Sequence, residues 1–391
     1  MKKILALALV LVMLFSLAAC SSSTDEEETT VADTEVSADA FTVGVIGPTT
    51  GDYAIYGESA ARGAQIAVDE INALGGDIQF TLLVEDDLGD PETAVNAYNT
   101  LKDQGIQALL GTITSGACIS VAAETYADGM FQLTPSASSA SVTEGNDNVF
   151  QVCFSDPNQG TAAADYIVSE GLGTTVAVIY QNDIDYSVGI YETFEAQAEA
   201  LGLEIIYVGT FTEDTKTDFS VQLSQAEASE ADVVFLPIYY NEGAQIFTQA
   251  AAVDYSPIFF GVDGMDGILA VDGFDAALAE GVYLLTPFAA DATDDATVSF
   301  VTTYEDTYGE TPNQFAADGY DSVYILYQLI QESGATSDMP YEELNELFKE
   351  AIVATSFDGL TGLGMTWSAD GEVSKDPMAI VIEDGVYVGV E

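Results

Sequence analysis

Short apolar runs and helix-period segments alternate along nearly the whole chain. The first set has strands expected at 41–47, 78–84, 106–110 and 130–133. Between them lie segments whose apolar positions recur every three to four residues. These are 57–74, ending at Gly75 and Gly76, then 91–104 opened by Pro91, and a third beginning near Gly116. A second set follows, with strands expected at 175–180, 204–208, 233–237 and 257–260 and helices near 158–171, 187–201, 217–229 and 242–252. After a strand at 282–285 come three helical stretches, near 293–308, 312–331 and 341–354. The chain then finishes in short strands around 365–367 and 378–390. Strands alternating with helices argue for α/β architecture with parallel sheets. Two such series and a late helical return argue for two lobes, with the chain crossing between them more than once.

The N-terminus breaks this pattern. Lys2 and Lys3 precede an apolar segment from Ile4 to Ala19 interrupted only by Ser16, the charged-then-apolar order of an export signal. The segment is shorter than the roughly 20 residues of a spanning helix. It closes on Leu17-Ala18-Ala19-Cys20, which resembles the bacterial lipoprotein signal, whose cysteine thiol takes a diacylglycerol and becomes the first residue. Residues 1–19 are therefore expected to be removed and Cys20 to be lipidated. Residues 21–39 hold no aromatic and are dominated by Ser, Thr, Asp and Glu. Such a stretch cannot bury enough apolar surface to offset its ordering entropy, so 20–39 reads as a lipid-anchored flexible linker. The expected location is extracytoplasmic, on the outer face of the cytoplasmic membrane of a Gram-positive cell.

Charge narrows the partners. The chain carries 65 acidic residues against seven basic ones, a formal net charge of −58. All the acids follow the signal, where only Arg62, Lys102, Lys216, Lys349 and Lys375 oppose them. Phosphate contacts need basic side chains, so nucleic acid is excluded as a natural partner. An anionic solute is disfavoured, whereas a neutral or zwitterionic one feels little net repulsion. There is no histidine, which removes the commonest general base and metal ligand. Cys118 and Cys153 either pair or lie buried as free thiols; sequence does not decide between them. The acid-rich segment Asp291-Ala292-Thr293-Asp294-Asp295 lacks calcium-loop spacing and reads as a solvated loop. Trp367, the sole tryptophan, reads as packing beneath a turn at Asp370-Gly371.

Five motifs in order carry a family resemblance. They are Ile46-Gly47-Pro48 with Gly51 and Tyr56-Gly57; Gly63 with Ala67 and Glu70-Ile71-Asn72; Asp86-Asp87 ahead of Asp90-Pro91; Thr134-Pro135-Ser136-Ala137-Ser138; and Asp318-Gly319-Tyr320-Asp321. With this spacing, residues 41–391 resemble the extracytoplasmic solute-binding proteins of ABC transporters, of the leucine/isoleucine/valine-binding type. The resemblance implies a type I periplasmic-binding fold: two Rossmann-like lobes with parallel sheets joined by a multi-strand hinge. On that frame lobe 1 is expected to comprise 40–156 and 288–362, and lobe 2 to comprise 157–287 and 363–391.

Open parallel sheets place ligands at the carboxyl ends of their strands, where loop amides and helix N-termini point. The resemblance assigns Ser115, Ser136 and Ser138 to the α-carboxylate and ammonium of a bound amino acid. That solution suits a chain whose sole arginine, Arg62, falls within a helix. Helix capping is the ordinary alternative for such serines. Asp263, just past a strand in Gly261-Val262-Asp263-Gly264, matches the acid that receives the ammonium. Tyr56, Tyr186 and Tyr239 match aromatic walls from both lobes, with Phe315 a further wall; core packing is their rival role. Tyr56 and the three serines would come from the first lobe, and Tyr186, Tyr239 and Asp263 from the second. The disulfide that Gram-negative members often carry near the Ser115 loop has no cysteine pair here.

These expectations amount to reversible capture of a small zwitterionic solute, most simply a branched-chain or other apolar amino acid, by hinged closure, with delivery to an ABC permease. No cofactor is called for. Within the same class the ligand could instead be an amide, urea, polyol or aromatic acid. A ligand-sensing receptor domain would want a spanning helix after the fold, and none is evident up to Glu391. A secreted enzyme would want a nucleophile–base pair, yet histidine, Gly-x-Ser-x-Gly and phosphate-loop motifs are all missing.

Overall fold

The computed structural model describes residues 40–390. The expected signal 1–19, the lipid-accepting Cys20 and the linker 20–39 lie outside the described residues.

The first sheet is built from β1 (Phe41–Gly47), β2 (Phe80–Asp86), β3 (Ala108–Gly111), β4 (Gln132–Thr134) and β5 (Val149–Gln151), in the order β2-β1-β3-β4-β5. Every pairing in it is parallel. Its helices are α1 (Ala54–Ala73), α2 (Pro91–Asp103) and α3 (Ser115–Asp128). The second sheet holds β6 (Thr175–Gln181), β7 (Glu204–Phe211), β8 (Val233–Leu236), β9 (Ile258–Gly261), β10 (Tyr283–Thr286), β11 (Met378–Glu383) and β12 (Val386–Gly389), in the order β12-β11-β10-β9-β8-β6-β7. It is parallel from β7 to β10, while β11 and β12 run antiparallel. α4 (Asp156–Ser169) leads into β6, and α5 (Asp185–Leu201), α6 (Ser220–Ser229) and α7 (Tyr240–Ala252) come between the strands that follow.

Three later helices, α8 (Asp295–Tyr308), α9 (Gln314–Ser333) and α10 (Tyr341–Ile352), follow β10, and α9 and α10 pack onto the first sheet. Val323, Leu326 and Leu329 of α9 and Phe348 of α10 cover Val43, Val45, Phe131 and Phe150 on one face. Tyr98, Leu101 and Val121 of α2 and α3 cover Ile46 and Leu109 on the other. In the second sheet Ile167, Ile190 and Phe194 of α4 and α5 cover Val176, Val178 and Phe235. Phe247 of α7 joins Val234 and Leu236 on the opposite face. Strands covered on both faces read as continuous apolar runs, which is why most were visible in the sequence. β5, only three residues long, carries no periodic signal and was not expected.

The segment 357–373 forms isolated bridges, Phe357 with Met365 and Trp367 with Val373, in place of the strand expected at 365–367. All four residues join the core of the first sheet, and Trp367 Nε1 donates to the Gln151 carbonyl at 2.8 Å. Asp294 caps α8 by accepting from the Thr297 amide. Cys118 and Cys153 are both free and buried.

Helices α1 and α9 meet backbone to backbone. A Cβ on Gly63 would overlap the Ala316 carbonyl, and one on Gly319 would overlap the carbonyl of Ala60. Alanine is a better helix former than glycine by about 1 kcal/mol, but overpacking against backbone costs roughly 1–3 kcal/mol. Gly63→Ala should therefore lower the urea unfolding midpoint; an unchanged midpoint would show that the helices separate freely.

Candidate ligand-binding cleft

The strand-to-helix connections of both sheets converge on one small cavity. On the first sheet, Thr114 and Ser115 follow β3, and Ser115 is the first residue of α3, where the free amides and positive helix end lie. Ser136 follows β4, and Tyr56 projects from the first turn of α1. On the second sheet, Tyr186 stands in the first turn of α5, Tyr239 precedes α7, and Asp263 follows β9 at the head of a short 3-10 turn.

Six of the seven residues expected at a ligand site line this cavity: Tyr56, Ser115, Ser136, Tyr186, Tyr239 and Asp263. The seventh, Ser138, is fully buried just behind the wall, and its hydroxyl has no hydrogen-bond partner. Ile113, Thr114, Gly264 and Phe315 complete the lining, which contains no lysine or arginine. Of these, only Phe315 was anticipated. The others are apolar, small or backbone contributors whose position depends on how the loops fold.

The walls are aromatic. Tyr186 stacks on Tyr239 with ring centroids 4.7 Å apart, and Tyr56 leans on Phe315 at 4.4 Å. Tyr56 also meets Tyr239 edge-on at 5.6 Å. The Tyr56 and Tyr186 hydroxyls are tied down. Tyr56 donates to the Gly264 carbonyl at 2.5 Å, and Tyr186 donates to Asp263 Oδ1 at 2.6 Å while accepting from the Gly264 amide at 3.0 Å. Burial keeps all three phenols well above their ordinary pKa, so they remain neutral donors.

Asp263 is held from behind. Its amide donates to Gln159 Oε1 at 3.1 Å and its carbonyl accepts from Gln314 Nε2 at 2.7 Å. Burial pushes its carboxyl up to about 7, against the lowering effect of hydrogen bonds from Tyr186, Gln159 and Gly264. A second carboxylate, Asp156 at the start of α4, is buried nearby with neither oxygen in a well-formed hydrogen bond. Burial raises it too, and Ser138 partly offsets the effect. Asp156 was missed from sequence, where it looks like any acid opening a helix before proline. The cavity thus offers hydroxyls and helix-start amides at one side, a buried acid at the other, and an aromatic enclosure between. Such groups can hydrogen-bond an anionic group at one side and pair with a cationic one at the other.

Compared with known proteins, residues 40–384 match the sequence model of the periplasmic binding protein family. The chain belongs to that family. Among this binding protein's relatives, Leu/Ile/Val-binding protein homolog 3 of Brucella melitensis is 28% identical over 361 residues, covering 90% of this chain and 94% of the relative. The Leu/Ile/Val-binding protein BraC3 of Rhizobium johnstonii is 30% identical, covering 87% and 90%. The branched-chain amino acid transporter substrate-binding protein LivJ of Streptococcus pneumoniae, solved in complex with isoleucine, superposes with a TM-score of 0.81 at 27% identity, covering 90% of this chain and 99% of that one. The resemblance to the leucine/isoleucine/valine-binding type and the type I periplasmic-binding fold are both borne out. No helix among the described residues is long and apolar enough to cross a membrane.

Proposed function

We propose that this periplasmic binding protein captures a small zwitterionic amino acid, branched-chain or otherwise apolar, and presents it to an ABC import permease. Cys20 would carry the lipid that holds it at the outer face of the cytoplasmic membrane of a Gram-positive cell. The ligand's carboxylate would meet Ser115, Ser136 and the α3 amides, and its ammonium would meet Asp263. Tyr56, Tyr186 and Tyr239 would enclose its side chain. Ser138, with its unpartnered hydroxyl, would join the polar end.

The observation that carries this reading is the pairing of a cation-free lining with one buried carboxylate opposite a helix start. A ligand bringing its own positive charge suits both ends, because a carboxylate ionised in a buried site without a cation beside it is costly. Two lobes hinged by the connecting segments would close on it. We place lobe 1 at 40–156 and 288–373 and lobe 2 at 157–287 and 378–390. Moving the last crossing from 363 to 374–377 is supported by the packing of Met365, Trp367 and Val373 with the first sheet.

A thermal-shift screen tests the ligand class. Leucine, isoleucine and valine should raise the melting temperature in proportion to the logarithm of their concentration. Benzoate, urea and polyols, which bring no cation to Asp263, should not. A shift with benzoate and none with twenty amino acids would transfer the protein to the aromatic-acid reading.

A further inference from the structure

Beside the cleft mouth, outside the cavity lining, lies an ionic cluster that joins the two sheets' loops and that ligand binding does not use. Lys216 stands just after the short 3-10 turn Glu213–Thr215 of the second sheet. Its position is fixed by that turn: the Thr212 amide donates to Thr215 Oγ1 at 2.9 Å, and the Thr215 amide donates to the Thr212 carbonyl at 2.9 Å. Lys216 Nζ lies 2.8 Å from Glu213 and 3.7 Å from Glu242 on its own side. Across the cleft it lies 3.2 Å from Asp52 Oδ2 and 3.2 Å from the Tyr53 hydroxyl, with the cation 5.1 Å from the Tyr53 ring centre.

The neighbouring contacts cross the same gap. Tyr53 donates to Glu242 Oε1 at 3.2 Å, and Tyr240 donates to the Asp52 carbonyl at 3.0 Å while accepting from the Ile55 amide at 3.3 Å. Glu242 is fully buried, with its second oxygen unpartnered. Among the described basic residues, Lys216 makes the ion pairs that bridge the mouth. Arg62, Lys102 and Lys349 pair with acids on the first-sheet side, and Lys375 pairs with Asp318 at the segment leading to β11.

We propose that Lys216, gripping Asp52 and Tyr53 on one side and Glu242 on the other, is the clasp that holds the lobes shut and sets how long the solute stays. In an open form Asp52 and Tyr53 would move away, and Glu242 and Lys216 would regain water. The Lys216 contacts to exposed Asp52 and to Tyr53 therefore belong to the closed state, and losing them should speed reopening and so dissociation. Lys216 touches nothing in the cavity lining, so it is a positioning residue. The inference rests on the hinged-closure reading and not on which amino acid is bound.

The test is stopped-flow release of isoleucine from wild type and Lys216→Met, the full mature chain in each case. The expected result is a release rate about tenfold higher in the variant, with association within about twofold. Raising salt should speed release from wild type and leave Lys216→Met unchanged, since partly exposed pairs are screened. Asp52→Asn, at an exposed position, should move release in the same direction by a smaller factor and guards against a folding defect. The ligand-free melting temperature should fall slightly through loss of the Lys216–Glu242 pair, whereas the release rate and its salt dependence are readouts that a merely structural role for Lys216 would not move. Equal release rates in all three proteins would overturn the clasp. If isoleucine and every other amino acid fail to bind wild type, the ligand reading falls separately. Small-angle scattering then decides: a larger radius of gyration for Lys216→Met supports the clasp, and an identical one refutes it.

Discussion

Asp263→Ala should reduce affinity for the captured amino acid by about 30- to 1,000-fold, measured by calorimetric titration. That range corresponds to roughly 2–4 kcal/mol for removing the acceptor of a buried, charge-assisted contact. Asp263→Asn keeps the shape and a partner for the Tyr186 hydroxyl, so its loss isolates the charge. The pH dependence gives a sharper readout. With no cation bound, burial holds the Asp263 carboxyl at about 7. A bound ammonium favours the carboxylate and lowers that value, so the complex carries fewer protons than the free protein below pH 7. Binding must then weaken as pH falls through 7 toward 5, by up to about tenfold per unit. The groups facing Asp263 set the rest of the profile: Asp156 and Asp318 disfavour its ionisation, whereas Tyr186 and Gln159 support it. In Asp263→Asn this slope should flatten. A wild-type affinity constant from pH 5 to 8 would remove the ammonium assignment, even if the alanine variant bound poorly.

Much of the fold was legible because its strands are buried on both faces and its helices carry one apolar stripe. Boundaries drifted where local chemistry, not periodicity, sets them. α1 begins at Ala54, before the expected 57, since the turn through Gly51 (φ +85°) delivers the chain into helix early. α6 begins at Ser220, after the expected 217, with Asp218 accepting from the Ser220 amide. The cleft was legible to the extent that its groups sit at strand ends in recognisable motifs, as Ser115, Ser136 and Asp263 do. Asp156 and Gln159 were hidden. Their place behind the cleft follows from how α4 packs against the Asp263 turn, and no local pattern announces that. The Lys216 cluster was hidden for the same reason: Asp52, Lys216 and Glu242 lie far apart in sequence and meet only when the two sheets face each other.

Mildly acidic solution should stabilise this protein, with the ligand-free melting temperature near pH 4.5–5 higher than at pH 8 by roughly 5–10 °C. Burial raises Asp87, Asp263 and Glu242 to about 7 and Asp266 and Asp318 to about 6, and it also raises Asp156 and Asp321. In the unfolded chain each would titrate near the ordinary carboxylate value. Between about pH 4 and 7 the folded state therefore holds protons that the unfolded state has released. Stability contributed by these groups is complete below about pH 4 and is lost as pH rises through 6 to 7. Each unit of difference is worth about 1.4 kcal/mol per group, so even a modest fraction of the set amounts to several kcal/mol. Two cations are placed to resist the loss, Lys375 beside Asp318 and Lys216 beside Glu242. A formal charge of −58 adds self-repulsion that also grows with pH. Capped surface acids such as Asp90, Asp232 and Asp294 act in the opposite sense. Backbone amides lower them, so their contribution persists above about pH 4 and disappears only in stronger acid. The maximum is accordingly expected between these windows. Bound amino acid should narrow the difference between pH 5 and 8, because its ammonium compensates ionised Asp263. Scanning calorimetry from pH 4 to 8 measures the effect, and a melting temperature that falls steadily from pH 8 to 5 would show that the buried carboxyl groups are already compensated in the folded protein.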